Sequence, residues 1–192
     1  PPTLRRTLEL AGSWHDAGKA DPRFQAWLRG GLRLEHWPQL LAKSNGLLTR
    51  RAREAARQRA GYPSGGRHEL VSVRLLEQAR PQLPKDIDHE LLLHLVGCHH
   101  GQCRPLADVV DDQSAEDVRY EHDGQTYTAS SATLLERLDS GVADRFWTLV
   151  RRYGWWGLAW LEAVFILADH RISADEQHQV DEVNPAAQEV VA

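Results

Sequence analysis

The chain has 192 residues, 42% hydrophobic and 26% charged, with a formal net charge of −4, values that suit one globular domain with a sizeable core and are too small for two. They exclude a generally basic nucleic-acid coat but leave room for a locally positive channel. No apolar run approaches the roughly 18 residues of a membrane span, and no basic, apolar and small-residue order opens the chain as in a signal peptide, so a cytoplasmic protein without membrane contact is expected.

Leu4, Leu8, Ala11 and Trp14 recur at helical spacing and predict an amphipathic helix that delivers His15-Asp16 at its C-terminal end, with Gly18 stopping it and Lys19 projecting from the turn. Asp21 then reads as an N-cap with Pro22 at the first helical position, Phe24, Trp27 and Leu28 as the buried face, and Gly30-Gly31 as the stop. Short helices are predicted over Trp37 to Lys43 and Leu47 to Ala60, the second rich in Arg50, Arg51, Arg53, Arg57 and Arg59. Tyr62-Pro63-Ser64-Gly65-Gly66 breaks the pattern before a helix from Arg67 to Ala79, with His68 in its first turn and Pro81 and Pro84 closing it. Asp88 to His99 is leucine-rich and reads as a deeply buried helix, ended by Gly101 after His99-His100. From Asp108 to Asp123 the chain is acidic and irregular, and Val118, Tyr120, Tyr127 and Thr128 around Asp123-Gly124 predict a small β-hairpin near residues 118–128. Three more helices follow over Ala132 to Leu138, Val142 to Tyr153 and Trp155 to Ala174, and residues 175–192 are expected to be a polar, disordered tail beyond a domain spanning 1–174. The expected class is therefore all-α, a helical bundle with one hairpin insertion.

A lone His-Asp dipeptide is most simply a helix C-terminus whose imidazole favours the dipole. Its neighbours change that reading. His15, Asp16, His68, His99, His100 and Asp169 nearly all lie at the ends of helices with apolar middles, and such ends pointing inward across a bundle can meet at a metal. Adjacent side chains on a helix diverge by about 100°, so His15 and Asp16 converge only on something lying across the helix end, such as a metal pair bridged by the carboxylate. Four histidines with two carboxylates suit manganese, iron, nickel, cobalt or zinc better than calcium. Cys98 and Cys103 are too few for a disulfide framework and lack structural-zinc spacing, so reduced thiols are expected.

Together, His15-Asp16-Ala17-Gly18-Lys19, Arg67-His68-Glu69, His99-His100-Gly101 and Ala168-Asp169-His170-Arg171-Ile172-Ser173 resemble the HD superfamily of metal-dependent phosphohydrolases. Within it, the lysine after the His-Asp turn, the doubled histidine before glycine and the Asp-x-x-x-Ser ending are similar to the HD nuclease domain of the CRISPR-associated helicase-nuclease of type I interference systems. Lys43-Ser44 after Leu40-Leu41-Ala42, and Phe24-Gln25-Ala26-Trp27-Leu28, resemble the branch in which this domain follows the helicase. The resemblance implies an HD helical bundle that hydrolyses phosphodiester bonds of single-stranded DNA, with partners in a helicase domain of the same or a companion chain and an RNA-guided effector complex. It implies two divalent metals, manganese, nickel, cobalt or iron, with magnesium and zinc open. Asp16 would bridge them; His15 and Asp169 complete the first site, and His68, His99 and His100 complete the second. Lys19 would stabilise charge on the phosphate, and Ser173 would orient nearby ligands.

The family commonly has a further histidine in a helix upstream of the His-Asp pair, and residues 1–14 contain none. Since the chain has no methionine, position 1 included, it is expected to be a truncated segment whose first metal site is under-coordinated. Two other readings stand beside the nuclease: an HD phosphohydrolase of nucleotides or cyclic dinucleotides, which needs a closed pocket, and a binding module with a retained metal site. Among the remaining candidates, His94 reads as a satisfied core histidine, the Arg50 to Arg59 cluster as a solvated face, and Trp155, Trp156 and Trp160 as core packing.

Overall fold

The computed structural model describes residues 2–34, 39–44 and 49–183. The described residues form six α-helices, α1 (Pro2–Trp14), α2 (Pro22–Leu28), α3 (Arg50–Ala60), α4 (His68–Ala79), α5 (His89–Cys98) and α6 (Val142–Val183), and one antiparallel hairpin, β1 (Asp117–His122) and β2 (Gln125–Ser130). This is the expected all-α bundle with a hairpin insertion. No described helix is long and apolar enough to cross a membrane.

The caps explain several boundaries. Asp21 accepts from the Arg23 amide to open α2, Thr49 accepts from Ala52 to open α3, and Asp88 accepts from Leu91 to open α5. Gly101, at φ 86°, takes the left-handed conformation that ends the turn after α5. In the hairpin, Asp123 and Gly124 both have positive φ, the geometry of a tight turn whose twist matches its strands, and Tyr120 pairs with Tyr127. Inside α6, Gly154 (φ 72°, ψ 164°) breaks the helix between residues 153 and 155, where the sequence predicts the boundary between two helices. The second arm runs on to Val183, past the expected end at Ala174; residues 184–192 of the expected tail lie outside the described residues.

The core gathers Trp14 from α1, Leu70, Val73, Leu75 and Leu76 from α4, the leucines of α5, Val118 of the hairpin, and Leu149, Leu158, Leu161 and Phe165 of α6. A smaller cluster of Phe24, Ala26, Leu28, Ala60 and Tyr62 joins α2 to α3. Arg23 is buried at 1% exposure and holds the irregular acidic segment down, its two terminal nitrogens meeting the Asp112 carboxylate at 2.8 and 2.9 Å while Nη2 also reaches Asp21 at 3.0 Å. That bidentate pairing satisfies a charge that would otherwise be costly to bury.

Four expectations are corrected. Residues 132–137 are not helical: Leu134 has φ 54°, the Arg74 guanidinium donates to the Thr133 carbonyl at 2.7 Å, and only the 3₁₀ turn Leu138–Ser140 follows. Residues 39–43 of the predicted short helix are irregular, because buried Gln25 accepts from the Leu41 amide (2.8 Å) and donates to its carbonyl (3.1 Å), taking both groups a helix would use; residues 37 and 38 lie outside the described residues. The helix predicted from Leu47 begins at Arg50 behind its Thr49 cap, with 47 and 48 again outside. Trp155, Trp156 and Trp160 are 59, 89 and 64% exposed rather than packed inside, since Leu158, Leu161 and Phe165 take the inward stripe of their helix arm.

Candidate metal centre

Helix α1 ends at Trp14, and His15 and Asp16 form the turn into a 3₁₀ helix, Ala17–Ala20. Gly18 sits inside that turn and is not in the left-handed region, so its role differs from the expected helix stop. A Cβ there would stand 2.0 Å from the His68 carbonyl oxygen and 2.9 Å from the Ser72 amide nitrogen. Only glycine lets the His-Asp turn lie directly on the first turn of α4. Ser72 fastens the contact: its hydroxyl accepts from the Gly18 N–H at 2.8 Å and donates toward the carbonyls of His15 (2.7 Å) and His68 (3.1 Å).

That contact places Asp16 between two groups of ligands. Its Oδ1 lies 3.1 Å from His68 Nε2 and 4.0 Å from His99 Nε2, while its Oδ2 lies 3.4 Å from His15 Nε2 and 2.6 Å from Lys19 Nζ. Asp169, reaching in from α6, brings Oδ1 to 3.2 Å from His15 Nε2. His68, His99 and His100 each offer one imidazole nitrogen, all within 4.8 Å of one another. All six residues singled out as ligands therefore meet. Lys19 pairs with Asp16, but Ser173 is less engaged: its carbonyl accepts from Lys43 Nζ at 3.3 Å, and its hydroxyl makes no hydrogen bond among the described residues.

The protonation chemistry suits ligation. His15 Nδ1 donates to the Gly12 carbonyl and His99 Nδ1 to the Val96 carbonyl, each at 2.8 Å, which leaves both Nε2 atoms as bare lone pairs facing the centre. Burial, reinforced by the neighbouring His100, His68 and His15, holds the His99 pKa down at about 3, so this imidazole is neutral at ordinary pH. Burial alone would raise the Asp16 pKa, but His68, His15 and Lys19 outweigh it and hold the carboxyl below the ordinary carboxylate range. The Nε2 atoms of His68 and His99 are buried and make no hydrogen bond; the 3.1 Å approach of Asp16 to His68 lacks hydrogen-bond alignment. Orphaned buried nitrogens aimed at a shared carboxylate are costly unless something fills the space between them. A divalent metal of borderline softness fits this set of imidazoles and carboxylates.

Two further groups bear on the sequence reading. His94 Nε2 donates to Glu162 Oε1 at 2.7 Å and Arg104 Nη1 to Glu162 Oε2 at 2.7 Å, so His94 is a satisfied core histidine as expected. Glu162, buried in α6, was hidden in an apolar run; its only sequence signal is one carboxylate among inward-facing positions, and its partners lie 68 and 58 residues away. The hairpin closes over α1 beside the centre, with Trp14 meeting the rings of Tyr120, His122 and Tyr127 at 5.6, 4.6 and 5.2 Å.

A helical bundle that brings a His-Asp turn, a helix-opening histidine, a histidine pair and a distal aspartate to one metal-competent centre is the architecture of an HD-type metal-dependent hydrolase. The family model for the HD domain of Cas3 matches residues 1–178, and the chain belongs to that family of metal-dependent HD nucleases and phosphohydrolases. No curated protein and no solved structure matches the chain.

Proposed function

We propose that this chain is a deoxyribonuclease that hydrolyses phosphodiester bonds of single-stranded DNA with two divalent metals, in CRISPR type I interference. The observation that carries the reading is the division of Asp16: one carboxylate oxygen faces His68 and His99, the other faces His15 and Lys19. His15, Asp16 and Asp169 would hold one ion, and Asp16, His68, His99 and His100 the other, within a catalytic unit of residues 1–174. When bound, manganese, nickel, cobalt or iron ions supply Lewis acidity toward the phosphate and lower the pKa of a water to that of a usable nucleophile.

The residues do the rest. Asp16 and Asp169 would hold the cations in fixed positions relative to the histidines, and without those cations their negative charge would repel the phosphate. Lys19, held against Asp16 at 2.6 Å, offers its remaining donors to the phosphoryl oxygens as charge builds in the transition state. Ser173 stands one turn beyond Asp169 on the same helix, the place from which its hydroxyl would orient that end of the site once substrate or metal is bound. The side chains of Asp16 and Asp169 are 34 and 25% exposed and His100 lies at the surface. A centre this open suits a strand laid across it better than a nucleotide enclosed in a pocket. Strand delivery falls to a helicase domain, on the same chain or a companion one, recruited by an RNA-guided effector complex; the Lys43-Ser44 segment favours the branch in which the HD domain follows the helicase.

Labelled single-stranded DNA, double-stranded DNA and free nucleotides, each incubated with the chain and manganese, nickel, magnesium or chelator, test the reading. Metal-dependent cleavage of single-stranded DNA that disappears in a folded Asp16→Ala variant is expected. Preferential hydrolysis of free nucleotides, or unimpaired cleavage by Asp16→Ala, would overturn it.

A further inference from the structure

His68 differs from His15 and His99 in what holds its second nitrogen. His15 and His99 stand at the C-terminal ends of α1 and α5, where a helical carbonyl three residues earlier, of Gly12 or Val96, takes the Nδ1 proton at 2.8 Å. His68 is the first residue of α4 and has no preceding helical turn to offer such a carbonyl; Gly65, three residues back, is in the left-handed region. The group beside its Nδ1 is the carboxylate of Glu69, with Oε2 at 3.7 Å.

Glu69 is itself an anomaly. An acidic residue in the first turn of a helix ordinarily reaches into water and gains from the dipole. Glu69 is instead 1% exposed, and its buried Oε1 makes no hydrogen bond among the described residues. Its remaining partner, Arg67 Nη1, is 3.6 Å away, and that guanidinium is committed to Asp108 at 2.9 Å. A carboxylate so placed destabilises the fold unless a nearby proton or positive charge compensates it.

We propose that Glu69 is the positioning residue of the metal centre: its buried carboxylate keeps the His68 proton on Nδ1, so that Nε2 faces Asp16 as the ligand atom, and balances the charge of the ion held there. The inference rests on the reading of the His68, His99 and His100 cluster as a metal site. Backbone carbonyls do the same work for His15 and His99 at no electrostatic cost. His68 needs a side chain because the tight seat of the His-Asp turn on α4 requires it to open the helix rather than close one.

The test is cobalt(II) titration of the full chain followed by its visible absorption, together with nitrogen-15 spectra of the histidines in the metal-free protein. Wild type is expected to show His68 as the Nδ1–H tautomer, and Glu69→Leu to bind cobalt about 10 to 100-fold more weakly, with His68 shifted toward the Nε2–H tautomer. Glu69→Gln keeps an acceptor and the side-chain shape, so it is expected to fold even if Glu69→Leu does not, retaining the tautomer and losing about tenfold in affinity with the charge. Wild-type cobalt affinity in Glu69→Gln, or an Nε2–H tautomer of His68 in the wild type, overturns the proposal. Failure of the underlying site looks different: cobalt affinity would then be indifferent to His68→Ala as well.

Discussion

Replacing Gly18 with alanine probes the contact on which the centre is built. The new Cβ would stand 2.0 Å from the His68 carbonyl oxygen, against a floor of 3.0 Å for real Cβ contacts, and the obstructing atoms are backbone rather than flexible side chain. The turn and α4 must therefore separate by about 1 Å. Overpacking of this kind costs about 1–3 kcal/mol, and weakening the Gly18 to Ser72 hydrogen bond adds about 1 kcal/mol. A total of about 2–4 kcal/mol lowers Tm by roughly 5–15 °C in a domain of this size. The same movement draws Asp16 away from His68, so metal affinity should fall by about 10-fold or more. Gly12→Ala is the control with the opposite sign: it lies inside α1 with nothing within 4 Å of the new Cβ, and should stabilise the chain by about 0.5–1 kcal/mol. Thermal unfolding by circular dichroism, paired with manganese calorimetry, measures both. A Gly18→Ala protein with unchanged Tm and unchanged affinity would refute the reasoning.

Stepwise metal calorimetry should resolve a tight site on the His68, His99 and His100 side, where three imidazoles meet, and a weaker one beside His15 and Asp169; two equally tight sites would contradict this. The metal-free protein should lose stability as pH falls. His99 has a folded pKa of about 3, below its unfolded value near 6.5, so its contribution is complete above pH 6.5 and drains away toward pH 3. Between about pH 6.5 and 5.5 the ordinary carboxylates stay almost wholly ionised, so the slope of urea midpoint against pH in chelator should flatten there in His99→Gln, and an unaltered slope would show that His99 is not buried neutral. Asp112→Ala should cost about 3 kcal/mol in denaturant unfolding, at the low end for a broken buried pair because Asp21 still faces Arg23; a cost under 1 kcal/mol would mean that the acidic segment does not depend on this pairing.

Legibility from the sequence followed the range of the interactions. Helices α1, α2, α4 and α5 and the hairpin turn are set by local signals, namely apolar spacing, the Asp21 cap and Asp123-Gly124, and all appear as expected. The meeting of the candidate ligands was legible for a related reason: all but Asp169, which lies well inside the second arm of α6, sit at or next to helix ends that apolar middles force together. Misreadings arose where a distant partner decided the outcome. Arg74 claims the Thr133 carbonyl from 59 residues away, and Gln25 claims Leu41, so neither segment is free to be a helix. The role of Gly18 was misread because a close approach to α4 leaves no trace in local propensity. Tryptophan content likewise cannot tell which face of a helix the rest of the chain covers, and in α6 it covers the other one.

The distribution of indoles has a practical corollary. Trp14, 1% exposed and immediately before His15, is the one fully buried tryptophan among the described residues, whereas Trp147, Trp155, Trp156 and Trp160 are all exposed on α6. Their fluorescence therefore separates by access: a water-soluble quencher reaches the α6 indoles and spares Trp14. With Trp27 and Trp37 replaced by phenylalanine, the shielded, blue-shifted emission that survives comes from Trp14, the ring next to the His-Asp turn, giving an intrinsic optical probe of the candidate centre without any label.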